Sequence, residues 1–290
     1  MGEYIRLMRM KHWVKNGLCF LPLIFGKQMF CGRLFFSTLG GAMAFSLLSS
    51  MVYVINDIQD REKDRLHATK RNRPIAAGTI SVKQAGIFAC MLFLISMTAN
   101  VIFSGGGYKC IVILLIYLAI NLYYSCFGGK NIAVLDIILL VAGFFLRVLY
   151  GATLTGIPIS DWLYLTVITV AFYMAFGKRR NEMRGQQKDT RGVLKYYTVE
   201  FLDKNMYMCM AVAIIFYSLW CLDISNVKAG DKISIVWTVP IVLILAMRYS
   251  YDVEKETSEG DPVEVILADK FLIITGFLYF VLVIAFVYLG

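Results

Sequence analysis

The chain has 290 residues, 59% of them hydrophobic and 17% charged, with a net charge of +9 and a mean hydropathy of +0.66. A soluble domain carries about 25% charged and about 45–50% apolar residues, so this composition excludes an ordinary soluble enzyme, a disordered chain, a collagen and a polar-faced solenoid. A polytopic membrane protein remains.

The chain opens with a basic stretch, 1–16, read as an interfacial helix over 4–16; it is long for a signal peptide and no small-residue cleavage site follows. Charge-free runs then occupy 34–56, 84–108, 110–129, 162–177, 205–222 and 271–290, with shorter ones at 16–26, 137–146, 148–160 and 233–247. A helix needs about 20 mostly apolar residues to cross hydrocarbon and satisfies its own backbone there. Helices are therefore predicted near 17–31, 34–56, 83–104, 108–127, 131–152, 162–181, 205–223, 233–251 and 270–289, nine spans in all, with Pro22 and Lys27 interrupting the first. The whole of 1–290 reads as one all-α integral membrane domain, with loops near 57–82, 182–204 and 252–269.

Lysine and arginine placement orients the chain. If the N-terminus is cytoplasmic, twenty-three of the 29 cations lie on the cytoplasmic side, including Arg6, Arg9, Lys11, Lys15, Lys188, Arg191 and Lys255. Five lie opposite (Lys27, Arg33, Lys109, Lys228 and Lys232), and Arg147 falls within a span. The expected topology is N-in, C-out.

The seven cysteines lie mostly inside spans without a CxxC pair. They read as small apolar side chains, not as a zinc or redox site. The two histidines, His12 and His67, stand in basic stretches. A histidine metal centre is excluded.

The polar residues that stand out follow the second span: Asn56-Asp57-x-x-Asp60-x-x-x-Asp64. On a continuous helix Asn56, Asp60 and Asp64 make one stripe roughly 12 Å long, with Asp57 beside it. Such oxygens repel one another unless a cation sits among them. Without His or Cys the set favours Mg²⁺, which bridges carboxylates to substrate phosphates. A solvated helix end paired with Arg61, Lys63 and Arg65 is the plainer alternative, but the stripe starts at the mouth of a span, where polar groups are functional by default. Lys70-Arg71-x-Arg73-Pro74-Ile75-Ala76-Ala77-Gly78 comes directly after. Its cations suit a metal-bound polyanion, since arginine forks match phosphate oxygens.

These two stretches together resemble the first signature of the UbiA superfamily of intramembrane prenyltransferases, and span number and topology resemble that family along the whole chain. The resemblance implies a nine-helix UbiA-like bundle with a cavity open to lipid. It also implies Mg²⁺ as cofactor, held by Asn56, Asp57, Asp60 and Asp64. The family's usual second aspartate-rich motif is missing here. At the end of the sixth predicted span stands Lys178-Arg179-Arg180-Asn181-Glu182-Met183-Arg184, one carboxylate among four cations. That run suits phosphate better than a second metal clamp, although Lys178 and Glu182 could also form a surface pair.

The same departure resembles the decaprenyl-phosphate phosphoribosyltransferase branch of the superfamily. Arg9-Met10-Lys11-His12-Trp13-Val14-Lys15-Asn16 resembles its N-terminal signature, with Met10 in place of a proline. Ala133–Asp136, Gly143–Arg147 and Lys178-Arg179-x-x-Glu182 resemble further motifs. The branch implies transfer of 5-phosphoribose from phosphoribosyl pyrophosphate to a polyprenyl phosphate at the cytoplasmic face of a bacterial inner membrane. Asp60, Asp64 and Lys178 would act catalytically. Lys15, Asn16, Arg71, Arg73, Lys130, Lys178, Arg179 and Glu182 would meet phosphate or ribose. The partners would be the two substrates and the bilayer, with no nucleic acid. A UbiA-type prenyl transfer from a polyprenyl diphosphate to an aromatic or other small acceptor stays open, as does an anion transporter, though no second copy of the Asn56–Gly78 stretch exists.

Asp136 and Arg147 lie on one face of the fifth span but roughly 16 Å apart along a helix axis, so they cannot pair. Each is expected to have its own polar partner. Asp136 is placed to support the site, and Arg147 to make a structural contact between helices.

Overall fold

A computed structural model describes residues 2–67, 70–184, 192–226, 235–254 and 262–288. Lys188, Arg191, Lys228, Lys232 and Lys255, and the middles of the expected loops 182–204 and 252–269, lie outside the described residues. Among the described residues the regular structure is all helical. Short elements come first: α1 (Gly2–Met8), a 3₁₀ helix (Met10–Phe20) and α2 (Leu21–Phe25). The long α3 (Gly32–Gln59) is followed by short α4 (Arg61–Arg65) and a 3₁₀ turn at Lys70–Asn72. Next come α5 (Val82–Ser104), α6 (Tyr108–Cys126), α7 (Leu135–Thr155), α8 (Asp161–Arg184) and α9 (Val199–Asn226). The chain closes with α10 (Val239–Glu254), α11 (Pro262–Ala268) and α12 (Lys270–Tyr288).

Seven helices among the described residues are long and apolar enough to cross a membrane: α3, α5, α6, α7, α9, α10 with the 3₁₀ turn before it, and α12. They coincide with predicted spans. The sixth predicted span is α8, which has the length, but its last two turns carry Lys178, Arg179, Arg180, Glu182 and Arg184. The first predicted span, 17–31, does not form as one helix. Arg9 and Lys27 adopt left-handed backbone conformations, with φ of 49° and 59°. Between them the chain runs as a 3₁₀ helix and then the five-residue α2. A 3₁₀ segment is a poor template for a long α ladder, and Pro22 has no N–H with which to extend one.

The chain divides into two compact units. The first comprises Met1–Leu23, Gln28–Gly129 and Leu146–Ile157. Its centre is α3, 67% of whose most apolar stretch is buried. Small residues (Gly40, Gly41, Ala42, Ala44, Ser46) let neighbours approach α3 closely, the Phe103 side chain lying against Gly40 and that of Leu154 against Gly41, and Ser96 of α5 donates to the Ala44 carbonyl at 2.7 Å. Phe45, Leu48, Leu114 and Tyr150 fill the space between α3, α6 and the end of α7. Gly151 allows the closest approach: a Cβ there would lie 2.1 Å from the Cys19 carbonyl oxygen. Helix α5 starts at a reciprocal cap between Ser81 and Gln84.

The second unit comprises Ile24–Lys27, Lys130–Phe145 and Pro158–Gly290. Helices α8 and α9 pack along each other around Ala171, Tyr173, Leu202 and Met206. Another cluster gathers Leu163, Tyr217, Trp220 and Val283. Polar links stitch this unit: the Tyr279 hydroxyl donates to that of Tyr217 at 3.1 Å, and Arg248 reaches Asp269 at 2.6 Å. Cys19, Cys110, Cys209 and Cys221 are buried, whereas Cys31, Cys90 and Cys126 are exposed. All seven are free thiols.

Candidate active site

In the first unit the acidic stripe forms at the end of α3. The helix ends at Gln59, and Asp60 takes φ −90° and ψ 5° before α4 resumes at Arg61. Helical spacing survives this joint, because the Asp60 amide donates to the Asn56 carbonyl at 2.9 Å and the Asp64 amide to that of Asp60 at 2.8 Å. Asp57 and Asp64, seven residues and thus about two turns apart, share a face. Both are buried, at 3% and 5% exposure.

One guanidinium nitrogen joins them. Nη1 of Arg73 donates to Asp64 Oδ2 at 2.7 Å and to Asp57 Oδ1 at 3.1 Å. Arg9 makes a second ion pair with Asp57 and lies over the Tyr53 ring at 5.0 Å. The N-terminal segment is pinned beside the stripe, with Trp13 donating to Ser50 Oγ at 2.9 Å and Arg6 to the Asn72 carbonyl at 3.1 Å. Pro74, Ile75 and Ala76 are buried. The turn closes at Gly78, whose φ of 78° suits glycine. Arg71 is exposed, while Lys15, Asp60 and Asn56 are half-buried. The Asn56 Oδ1 atom is buried without a hydrogen-bond partner. Glu62, on the solvent side of α4, is held below the usual carboxylate range by its hydrogen bond from Arg61.

The set suits a hard divalent cation. Among the described residues no three His, Cys, Asp or Glu side chains converge. Two carboxylates do, however, converge on a point held by one positive nitrogen, and an orphaned amide oxygen lies one turn before Asp60. Oxygen-only donors around a cationic position are what Mg²⁺ takes, with its remaining positions left to water or phosphate.

The second unit holds a different cluster. Arg179 is completely buried; its Nε reaches Asp136 Oδ2 and its Nη1 reaches Glu182 Oε2, each at 2.6 Å. The Tyr197 hydroxyl donates to Asp136 Oδ1 at 2.6 Å and accepts from the Val134 amide at 2.6 Å. Val134 is a β-branched residue with φ of 67°, a strained conformation that the tyrosine contact helps to hold. Burial, reinforced by the bond to Asp136, raises the Tyr197 phenol above its ordinary range. Arg180 is also buried and pairs with Asp203 and, at 3.4 Å, with Glu254. Lys178 and Lys130 are half-buried. A cavity of about 520 Å³ lies at the other end of α8, lined by Ile159–Trp162, Leu165 and Asp223, and holds none of the residues singled out from sequence.

Three expected phosphate contacts are placed elsewhere. Arg179 and Glu182 are interior partners of each other. Asn16 is not at a rim: it is 2% exposed, accepts from Arg147 Nε at 2.7 Å and donates to Ser46 at 2.8 Å. Arg147 also reaches the Tyr117 hydroxyl at 3.2 Å and lies 5.1 Å from the Phe45 and Tyr117 ring centres. It is the expected contact between helices. Arg9, Tyr197 and Asp203 enter the two clusters without having been singled out as site residues. Only the opening RMKHW run hinted at Arg9.

Comparison with known proteins places this architecture. Residues 21–265 match the UbiA prenyltransferase family, and the chain belongs to that family of membrane enzymes. Among its relatives, the decaprenyl-phosphate phosphoribosyltransferase of Corynebacterium glutamicum is 34% identical over 276 residues, covering 92% of this chain and 81% of that one. The Mycolicibacterium smegmatis protein of the same name is 32% identical over 79% of this chain and 74% of its own. The fold is that of a UbiA homolog from Archaeoglobus fulgidus, solved bound to DMAPP and Mg²⁺: TM-score 0.72, 19% identity, 99% of this chain and 98% of that one.

Proposed function

We propose that the chain transfers 5-phosphoribose from phosphoribosyl pyrophosphate to a polyprenyl phosphate, releasing pyrophosphate in a Mg²⁺-dependent reaction at the cytoplasmic face of a bacterial inner membrane. The observation that carries the reading is the end of α8. Among the described residues the acids there face buried arginines, Glu182 and Asp136 on Arg179 and Asp203 and Glu254 on Arg180. With Lys178 and Arg184 beside them this end is rich in cations, which suits a further phosphate better than a second metal-bound prenyl diphosphate. The names of the 34% and 32% identical relatives support the same substrates.

In this reading Asn56, Asp57, Asp60 and Asp64 would hold Mg²⁺ beside the donor's pyrophosphate. The bound ion supplies Lewis-acid stabilisation of charge on the leaving group. Arg71, Arg73 and Lys178 bind phosphate oxygens, with Lys15 and Lys130 as further contacts. A phosphate oxygen of the lipid attacks ribose C1 from the face opposite the departing pyrophosphate, which inverts that carbon. A phosphate monoester is already largely dianionic at neutral pH, its second pKa being about 6. No side chain has to remove a proton, which suits a chain with two histidines. The protein contributes position and electrostatics.

The test is incubation of purified protein with Mg²⁺, phosphoribosyl pyrophosphate and a polyprenyl phosphate, following lipid mass and pyrophosphate. A lipid heavier by one phosphoribosyl group, lost in Asp60→Asn and with chelator, is the expected result. Consumption of a prenyl diphosphate with an aromatic acid instead would replace this reading by prenyl transfer.

A further inference from the structure

The geometry points to Arg73 as an exchangeable counter-ion that makes the acidic stripe accept a metal–diphosphate chelate in preference to the bare metal. The inference rests on the proposed reading that these acids hold Mg²⁺, and deepens it. Asp57 and Asp64 are neutralised by Arg9 and Arg73, one guanidinium nitrogen of Arg73 touching both carboxylates. A bare divalent ion approaching those oxygens must displace that nitrogen while two arginines repel it.

A diphosphate changes the balance. It brings negative charge with the metal, and it offers Arg73 a new partner of matching shape, since a guanidinium fork binds phosphate as well as carboxylate. Arg73 is built to make that exchange. Its side chain is 28% exposed whereas those of Asp57 and Asp64 are 3% and 7% exposed, so the acids are fixed and the arginine is the partner with room to turn. Asn56 Oδ1, buried and unpartnered, is a neutral ligand that no arginine has to vacate.

Two titrations on the full-length protein in lipid nanodiscs test this. Mn²⁺ alone is followed by loss of its free EPR signal, and radiolabelled inorganic pyrophosphate is titrated in excess Mg²⁺. Arg73→Gln should bind Mn²⁺ about tenfold tighter and magnesium pyrophosphate about tenfold weaker, the scale of a single charge-assisted hydrogen bond. Arg61→Gln removes the same charge from an exposed partner of Glu62 and should change neither. Weakening of both ligands in Arg73→Gln, no change in either, or a tighter metal with unchanged pyrophosphate would each overturn the exchange. So would equal effects in Arg61→Gln, which would reduce it to bulk charge. If Arg73→Gln does not fold, Arg73→Lys keeps the charge without the fork and should show smaller shifts of the same opposite signs. Wild-type protein that binds neither ligand, or binds both equally well after Asp64→Asn, would remove the metal reading and this inference with it. Metal binding that depends on Asp64 but not on Arg73 would remove the inference alone.

Discussion

Arg179→Met tests whether the end of α8 is a structural knot or a phosphate contact. The substitution keeps an unbranched side chain of moderate volume and removes the charge that joins Asp136 to Glu182. Those acids are 0% and 5% exposed, so they are left as buried carboxylates without the guanidinium that neutralises them. Removing one partner of a buried ion pair costs about 3–5 kcal/mol, and the charge-assisted bonds at 2.6 Å put this site in that range. At roughly 2–4 °C per kcal/mol for a larger domain, the melting temperature should fall by about 10 °C. A triple variant, Arg179→Met with Asp136→Asn and Glu182→Gln, removes the uncompensated charges as well. It should regain about half or more of that loss, because neutral groups of the same shape avoid most of the desolvation cost. The assay is thermal unfolding in one detergent, read by intrinsic fluorescence, beside initial rates at saturating substrate. Wild-type melting in Arg179→Met with lost turnover would refute the knot and return Arg179 to the substrate.

Lys178→Ala, on the same helix but half-buried, should act in the opposite sense: KM for donor or lipid rises about tenfold or more, as for loss of a charged hydrogen bond, with melting nearly unchanged. Equal melting loss with normal kinetics would reduce Lys178 to a surface pair. Gly151→Ala places a methyl 2.1 Å from the Cys19 carbonyl oxygen and should destabilise by about 1–3 kcal/mol; unchanged melting would mean the backbones separate freely. Hydrogen bonds from the Asp252 carboxyl and Arg248 hold Asp269 below the ordinary carboxylate range. A depressed folded-state pKa gives stability that is present above the unfolded value of about 3.9 and lost as pH falls below it. Asp269→Asn should therefore flatten the fall in melting temperature on acidification below about pH 4; an unaltered slope would contradict the pairing.

Much of the scaffold is readable because hydrocarbon imposes a length on any segment without charge. The ends of α5 and α6 fall within a residue of the predicted spans 83–104 and 108–127. The stretch 17–31 misleads because apolar content without a persistent helical ladder looks like a span. The stripe was legible as acids, but not its pairing. Spacing selects Asn56, Asp60 and Asp64, whereas the shared guanidinium selects Asp57 and Asp64, through an arginine on a turn beyond α4. Contacts such as Asp136 with Arg179, or Asn16 with Arg147, cross 43 and 131 residues of chain. Periodicity carries no information at that range; it shows only that Asp136 and Arg147 must each find someone else.

The contact between Asn16 and Arg147 also has a consequence for biogenesis. Asn16, Phe45 and Tyr117, which receive the Arg147 guanidinium, precede it in order of synthesis. When the ribosome delivers the latter half of α7 to the bilayer, its cation therefore meets an amide oxygen, a phenol and two ring faces already laid down. A truncated chain that starts after Asn16 would ask the translocation machinery to insert that charge with its amide acceptor missing, and α7 would be the helix to fail.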